Sequence, residues 1–330
     1  VSDLDLINAE LARRELARRD YRQYLPYVHG AMWKKTRMSD FIAYRVQEFL
    51  TTDTGNAYDI LVVKTPPQHG KSKTLTETLP SWYLGRFPTK RVIMASYNDD
   101  FAQKFCRRNA EKIRQYGNSL FGISLHIDRA TEIELENRQG GLLSRGIMSG
   151  ITGNPADLII IDDPIKNREE ANSQTIRDKL WEEWQNSIKS RLAAGAKVIL
   201  IMTPWHEDDL AARLVNSEQN ISEIRLPVEA EENDPLGRRI GDALCPELGK
   251  DNAWLRQFKA SYIHDAQGGA RAWEALYMCR PRVEGGNLVD RSWWQYYKEG
   301  SIRDFGTEVI SVDAAFKGTD SSDYERTTRL

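Results

Sequence analysis

Three cysteines in 330 residues, Cys106, Cys245 and Cys279, are scattered and leave no C-x-x-C pair. Such usage disfavours a structural zinc site or a disulfide framework and suits a reducing cytosol. No apolar run approaches the ~18 residues that a membrane span requires, so no membrane partner is expected. The opening VSDLDLINAELARR lacks the cationic-then-apolar layout of a secretory leader. Neither charge is in excess: 46 Lys and Arg face 48 Asp and Glu, for a formal net charge of −2. No global positive field advertises nucleic acid, and any DNA contact must be a local patch. Internal repeats and low-complexity tracts are absent too. What remains is an ordinary globular composition, 40% hydrophobic and 28% charged. The chain is long enough for about two domains of ~100–200 residues each.

Residues 3–24 read as a helix, with Glu10/Arg14 and Glu15/Arg19 as i,i+4 pairs. A second helix, SDFIAYRVQEFL, carries a candidate cap at Ser39. From residue 58 onward, Val- and Ile-rich runs (DILVVKT, KRVIMASY, DLIIIDD, AKVILIMT and a weaker EIRLP) alternate with helical segments. Continuous apolar runs of that length suit strands buried on both faces, which predicts an α/β fold with a mainly parallel sheet flanked by helices. Over 172–192 a helix is predicted from Ile176, Leu180, Trp184, Ile188 and Leu192, with Trp181 widening the stripe as core packing. After Pro227 the chain is richer in Gly, Pro and charge, which reads as a smaller lid or linker subdomain. A further strand, TEVISVDAAF, begins near 307.

The stretch LVVKTPPQHGKSKTLTETL, residues 61–79, reads as strand, tight loop, helix. It nearly matches G-x-x-x-x-G-K-[ST], with Thr65 where the first glycine belongs. Such a loop converges backbone N–H groups on an anion at a helix N-terminus. Gln68, His69, Gly70, Lys71, Ser72 and Lys73 are therefore the candidate cofactor-binding residues. Lys71 would reach the β/γ-phosphates of ATP, and the Ser72 hydroxyl would ligate Mg²⁺. Pro66 and Pro67 stiffen the exit that glycine would otherwise loosen.

The run DLIIIDDP, residues 157–164, is a buried-type strand ending in two acids. A carboxylate at the end of a neighbouring strand is what the Mg²⁺ hydration shell requires, and Asp162 fits. Asp163 fits the base that orients the attacking water, with Glu169 and Glu170 as fallback bases. In ILIMTPWHEDDL, residues 199–210, Thr203 ends a strand where its hydroxyl can sense a γ-phosphate. His206-Glu207 does not make a metalloprotease motif, because Leu210 stands where H-E-x-x-H needs histidine. His206 reads as structural, and Glu207, Asp208 and Asp209 as acids favouring a helix N-terminus. The basic stretches RRELARRDYR, RRNAEKIR (107–114) and KSR (189–191) fit solvated helix faces better than DNA contacts.

Together, PPQHGKS, GITGNPADLIIIDDPIKN, WEEWQNSIKSRL and TPWHEDDLAARL resemble the large subunit of a tailed-phage terminase, from about Tyr24 to Asp323. The resemblance implies an ASCE-type P-loop ATPase domain followed by an RNase H-like nuclease domain. Relatives cut concatemeric viral DNA and drive it through a portal into an empty capsid. The implied partners are double-stranded viral DNA, portal protein and procapsid, the small terminase subunit, and other copies of the chain in a ring. The implied location is the host cytoplasm. By the same resemblance Lys71 and Ser72 bind ATP and Mg²⁺, Asp162 is the Walker B acid and Asp163 the catalytic acid. Thr203 falls in the motif that couples hydrolysis to movement, Gly150 and Gly153 in a flexible block, and the adenine site in the region Trp33 to Phe41. The domain expectation is a helical region 1–45, a P-loop ATPase 46–226, a lid or linker 227–306 and the start of a nuclease domain 307–330.

Three departures stand out. Many relatives have arginine where this chain has Gln68, a candidate transition-state finger, so an arginine elsewhere must act; Arg145, Arg191 and Arg213 stay open. Relatives often read T-R-W-H where Thr203-Pro204-Trp205-His206 stands. Asp313 matches the first nuclease metal carboxylate, yet only 17 residues follow it. A two-metal nuclease, with Mn²⁺ or Mg²⁺, needs several acids from distant strands. The expectation is a complete ATPase with a vestigial metal site at Asp313 and no working nuclease. A helicase- or repair-type P-loop ATPase would show further motifs and a second motor core, and a non-hydrolysing scaffold would not need both acids. In a plasmid assay with Mn²⁺ the purified chain should not cut DNA; robust cutting, absent from Asp313→Ala, would overturn this expectation.

Overall fold

The strand pattern places every main motif on one edge of one sheet. A computed structural model describes residues 2–281, except 138, 152, 154 and 265–268, and the backbone of two short strands farther on. The strands are β1 (Tyr58–Lys64), β2 (Arg91–Ser96), β3 (Leu125–Asp128), β4 (Glu132–Leu135), β5 (Gly141–Gly146), β6 (Ala156–Asp162), β7 (Leu192–Met202) and β8 (Ile221–Arg225). They form one sheet in the order β3-β4-β5-β2-β6-β7-β1-β8. From β5 to β8 all pairings are parallel, and β3 and β4 add an antiparallel edge. Residues 1–283 make one compact unit and 284–330 a second, in which β9 (Ile310–Asp313) pairs antiparallel with β10 (Arg326–Arg329).

The five predicted apolar runs are β1, β2, β6, β7 and β8. Alternate residues of each central strand feed opposite cores, as a period of two requires. Leu61, Val63, Met94, Ile160 and Ile199 face a core shared with Tyr21, Tyr24, Ile42 and Val46 from the N-terminal helices and with Trp82 from the helix Leu79–Arg86. Ile60, Val62, Ile93, Ile159 and Val198 face the other core, with Leu180, Trp184, Ile188, Leu210 and Leu214. Burial on both faces is why these strands read as continuous apolar runs. Strands β3, β4 and β5 escape that reading because the sheet edge is half-covered: β4 and β5 alternate between buried and half-buried positions. Gly140 supports the turn into β5, since a Cβ there would lie 2.1 Å from the Pro88 carbonyl oxygen.

Several boundaries differ from expectation. The first helix runs Asp3–Arg19 and a second Tyr21–His29, with Asp20 ending one and capping the other through Arg22 N–H. The Glu10–Arg14 and Glu15–Arg19 pairs are present. The next helix begins at Arg37 under a Thr36 cap; Ser39 is its third residue and completes a reciprocal box of 2.9 and 3.0 Å bonds. The predicted 172–192 helix spans Gln174–Glu182, then a wider i→i+5 turn over Glu183–Ile188, and Leu192 already belongs to β7. A strict four-residue repeat outruns a 3.6-residue turn, and the wider turn keeps Trp184 and Ile188 facing the sheet.

Residues beyond β8 form a small third core of Val228, Ala243, Leu255, Trp273, Tyr277 and Met278. Among the described residues no helix is long and apolar enough to cross a membrane. Urea titration should show Trp184→Ala, at a fully buried side chain, destabilised by about 3–5 kcal/mol. Ile7→Ala, on an exposed face, should stay within about 0.5 kcal/mol.

Candidate active site

The loop after β1 leaves the sheet at Thr65 and enters a helix at Lys71–Thr74. Gly70, its N-cap, sits at φ 88, where a side chain would be strained although nothing crowds the position. Gln68 also takes a left-handed φ of 59 without being glycine. The helix stops after one turn, and another begins at Leu79 with Pro80 next. Proline cannot donate the N–H that a continuous helix would offer to the Thr76 carbonyl. Asn109 Nδ2 satisfies that carbonyl instead, at 2.9 Å.

Register does the rest. Lys64 pairs with Met202, and Asp162 with Ile201, so β1, β7 and β6 end together. The acids do not sit on the strand adjoining β1, as predicted: β7 runs between β1 and β6. Thr203 therefore lies between the phosphate-type loop and the acid pair. The Lys71 ammonium donates to Asp163 Oδ1 at 2.7 Å and to Thr203 Oγ1 at 2.6 Å. Asp163 Oδ1 also accepts from Thr203 N–H at 2.9 Å, and the Thr203 hydroxyl reaches the Thr65 carbonyl at 3.3 Å. Asp163 holds a left-handed φ of 43, an unfavourable backbone state of the kind that clusters at functional sites.

Asp162 points the other way and is fully buried. Its Oδ2 accepts from Thr76 Oγ1 at 2.8 Å, its carbonyl from Ser96 Oγ at 2.9 Å, and its Oδ1 has no hydrogen-bond partner. Burial, helped by the charge of Asp163, pushes the Asp162 carboxyl up to about 7, against the pull of Lys71, Thr76 and Ser72. A buried carboxylate oxygen without a hydrogen-bond donor fits a cation. Mg²⁺ is held by one or two carboxylates together with substrate phosphates and water. Among the described residues no group of three or more His, Cys, Asp or Glu could hold a metal alone.

The other predicted residues are placed as follows. Ser72 opens the helix beside Lys71. His69 is buried, its Nδ1 2.7 Å from the Pro67 carbonyl and its Nε2 without a partner. Burial, with Lys250 nearby, pulls its pKa down to about 4. Lys73 turns aside to the Met32 carbonyl, at 3.1 Å, and lies 5.8 Å over the Trp33 ring. There a cavity of about 160 Å³ is lined by Met32, Trp33, Thr36, Ser39, His69 and Leu248, among others. Trp33, Lys34, Thr36 and Ser39 of that lining fall within the region Trp33 to Phe41 singled out from the sequence. Gly150 and Gly153 both take left-handed φ. Arg213 is tied to Asp178 at 2.8 Å and to Asp208 at 2.6 Å, Arg191 bonds Ser190 at 3.3 Å, and Arg145 bonds the Ser144 carbonyl at 3.3 Å. Glu170 accepts from Lys166 N–H at 3.0 Å. His206 Nδ1 accepts from Asp208 N–H at 3.0 Å, and Asp209 caps the helix Leu210–Ser217. Asp313 ends β9, and its side chain lies outside the described residues. Thr76 and Lys250 went unseen in the sequence; no motif marks either, because each meets the site only through the fold.

Residues 62–296 match the family model "Terminase large subunit, T4likevirus-type, N-terminal". The chain belongs to this terminase family. The HK97 bacteriophage large terminase matches at 14% identity, covering 76% of this chain and 51% of that one, with a TM-score of 0.48. The Thermus phage P74-26 large terminase ATPase domain matches at 13% identity, covering 70% and 91%, with a TM-score of 0.44. A large terminase from a thermophilic bacteriophage, solved in complex with ADP, matches at 14% identity, covering 81% and 60%, with a TM-score of 0.37. The terminase chain thus spans about half the length of the HK97 protein. No curated protein sequence matches it significantly.

A raised carboxyl pKa means the folded terminase binds a proton that the unfolded chain releases. Asp162 therefore contributes stability below about pH 4 that is lost as pH rises through about 7. In EDTA, Asp162→Asn should gain stability relative to wild type at pH 8, and the gain should shrink toward pH 5 in urea titrations.

Proposed function

We propose that this chain is the ATP-hydrolysing motor part of a terminase that moves double-stranded viral DNA into a procapsid. The observation that carries the reading is the convergence of Lys71, Asp163 and Thr203 at the ends of β1, β6 and β7. Gly70, Lys71 and Ser72 would receive the triphosphate, with the loop amides and the helix N-terminus supplying positive potential. An incoming γ-phosphate would compete with Asp163 for the Lys71 ammonium. Released, the Asp163 carboxylate would be free to take a proton from water, the work of a general base. Thr203, bonded to both Lys71 and Asp163, would register the exchange and pass it to β7. Ser72 and Asp162 would hold Mg²⁺, which would supply positive charge to offset that of the phosphates. The cavity at Met32, Trp33 and Leu248 is the place for the adenine ring.

Gln68 brings no charge to the transition state, and Arg213 is already engaged by two aspartates. We read this as a need for an arginine from a neighbouring copy in a ring docked on the portal. Such a residue is worth about 10³–10⁵ in rate. The small subunit, portal and host cytoplasm follow from the same reading, as do the subdomain at 227–306 and a nuclease part beginning near 307.

Phosphate release measured with Mg²⁺ and ATP, with and without DNA and portal, tests the proposal. Lys71→Ala should abolish both binding and turnover. Asp163→Asn should keep ATP binding and lose about 10²-fold or more in turnover. Undiminished turnover in either variant would sink these assignments.

A further inference from the structure

A phosphate-cradling loop works by aiming its backbone N–H groups inward, so whatever holds its carbonyls outward also sets the donors. A trans peptide points the C=O of one residue and the N–H of the next in opposite directions. In the 68–69 peptide the carbonyl is gripped from outside: Lys250 Nζ donates to Gln68 O at 2.5 Å. The His69 N–H is thereby turned away from Lys250. Such a hold suits Gln68, because its φ of 59 lies in the left-handed region that non-glycine residues adopt rarely.

Lys250 comes from a segment beyond the sheet. Its loop is closed by an antiparallel bridge between Cys245 and Lys250 and turned by Gly249 at φ 77. The Lys250 ammonium also lies 5.3 Å over the Trp254 ring, and Trp254 meets His69 edge-on at 6.2 Å. Leu248 of the same loop lines the cavity beside Trp33 and Gly70. Glu247 accepts from Arg37 N–H at 3.2 Å. One short loop thus touches the phosphate-type loop, the cavity and the start of an N-terminal helix.

We propose that Lys250 is a positioning residue for ATP hydrolysis, which fixes and polarises the 68–69 peptide so that His69 N–H is aimed at phosphate. A cationic donor on the carbonyl draws charge along the peptide and strengthens the N–H at its other end. It also places positive charge at residue 68, where the glutamine side chain supplies none. Through the same bond, nucleotide occupancy is felt by the loop that carries Lys250. The proposal rests on the ATPase reading above.

The test uses the full chain with Lys250→Met, Lys250→Gln and Lys250→Arg. Thermal melts establish folding, a fluorescent ATP analogue with Mg²⁺ reports binding, and phosphate release gives kcat. Lys250→Met should lower kcat about tenfold or more while the analogue's Kd moves less than about threefold. Lys250→Gln, a neutral donor, should fall between Met and wild type, and Lys250→Arg should recover most of kcat. The nucleotide-induced fluorescence change of Trp254, isolated by comparison with Trp254→Phe, should vanish in Lys250→Met. If Met does not fold, Gln against Arg decides: turnover equal in both would overturn the role of charge. A Met variant that folds and turns over at the wild-type rate would overturn the proposal outright. A wild-type chain that neither binds nor hydrolyses ATP would instead defeat the ATPase reading itself.

Discussion

The arrangement depends on one buried ammonium. Lys71 keeps only 7% of its side chain exposed, and a charge so placed is tolerable only when paired and hydrogen-bonded. Asp163 and Thr203 meet that need from two different strands. Their positions in turn require that β1, β7 and β6 keep their register, because a slip of one residue would turn each strand's side chains to the wrong face. The two apolar cores on either side of the sheet enforce that register. Packing of Val, Ile and Leu along the strands is therefore what sets the polar geometry at their ends.

Adjacent acids are given different environments. Asp163 is partly open and paired with a cation, while Asp162 is sealed in with one oxygen bonded to Thr76 and the other to nothing. Two carboxyls whose surroundings diverge this far are suited to two roles, one toward a metal and one toward water. The break in the helix after Thr74 belongs to the same design. It lets Thr76 leave the helix and reach Asp162, and Asn109 satisfies the carbonyl that Pro80 leaves behind. The loss of helical continuity serves the site.

Residues beyond β8 add a layer that a phosphate loop and two acids do not foretell. Their third core is small, yet its loop reaches Gln68, the cavity and Arg37 together. That reach bears on Gln68: a residue without charge can be served by a lysine that reaches its backbone.

Lys71, Ser72, Asp162, Asp163 and Thr203 were legible in the sequence because each ends or follows an apolar run, and strand ends gather at one edge of a parallel sheet. The family resemblance was legible for the same reason, in the blocks around those residues. Asp20, Ser39 and Leu192 were misplaced because caps and boundaries depend on single hydrogen bonds that periodicity does not record. Strands β3 to β5 were missed because segments of four to six residues with one covered face carry too little pattern. The sequence by itself determined which runs would be buried on both faces and which chemistry would stand at their ends. Only the tertiary structure decided that β7 separates β1 from β6, that Thr76 turns to Asp162, and that Lys250 crosses 182 positions to hold Gln68. Contacts between residues so far apart are set by packing and topology, which leave no local mark in the chain.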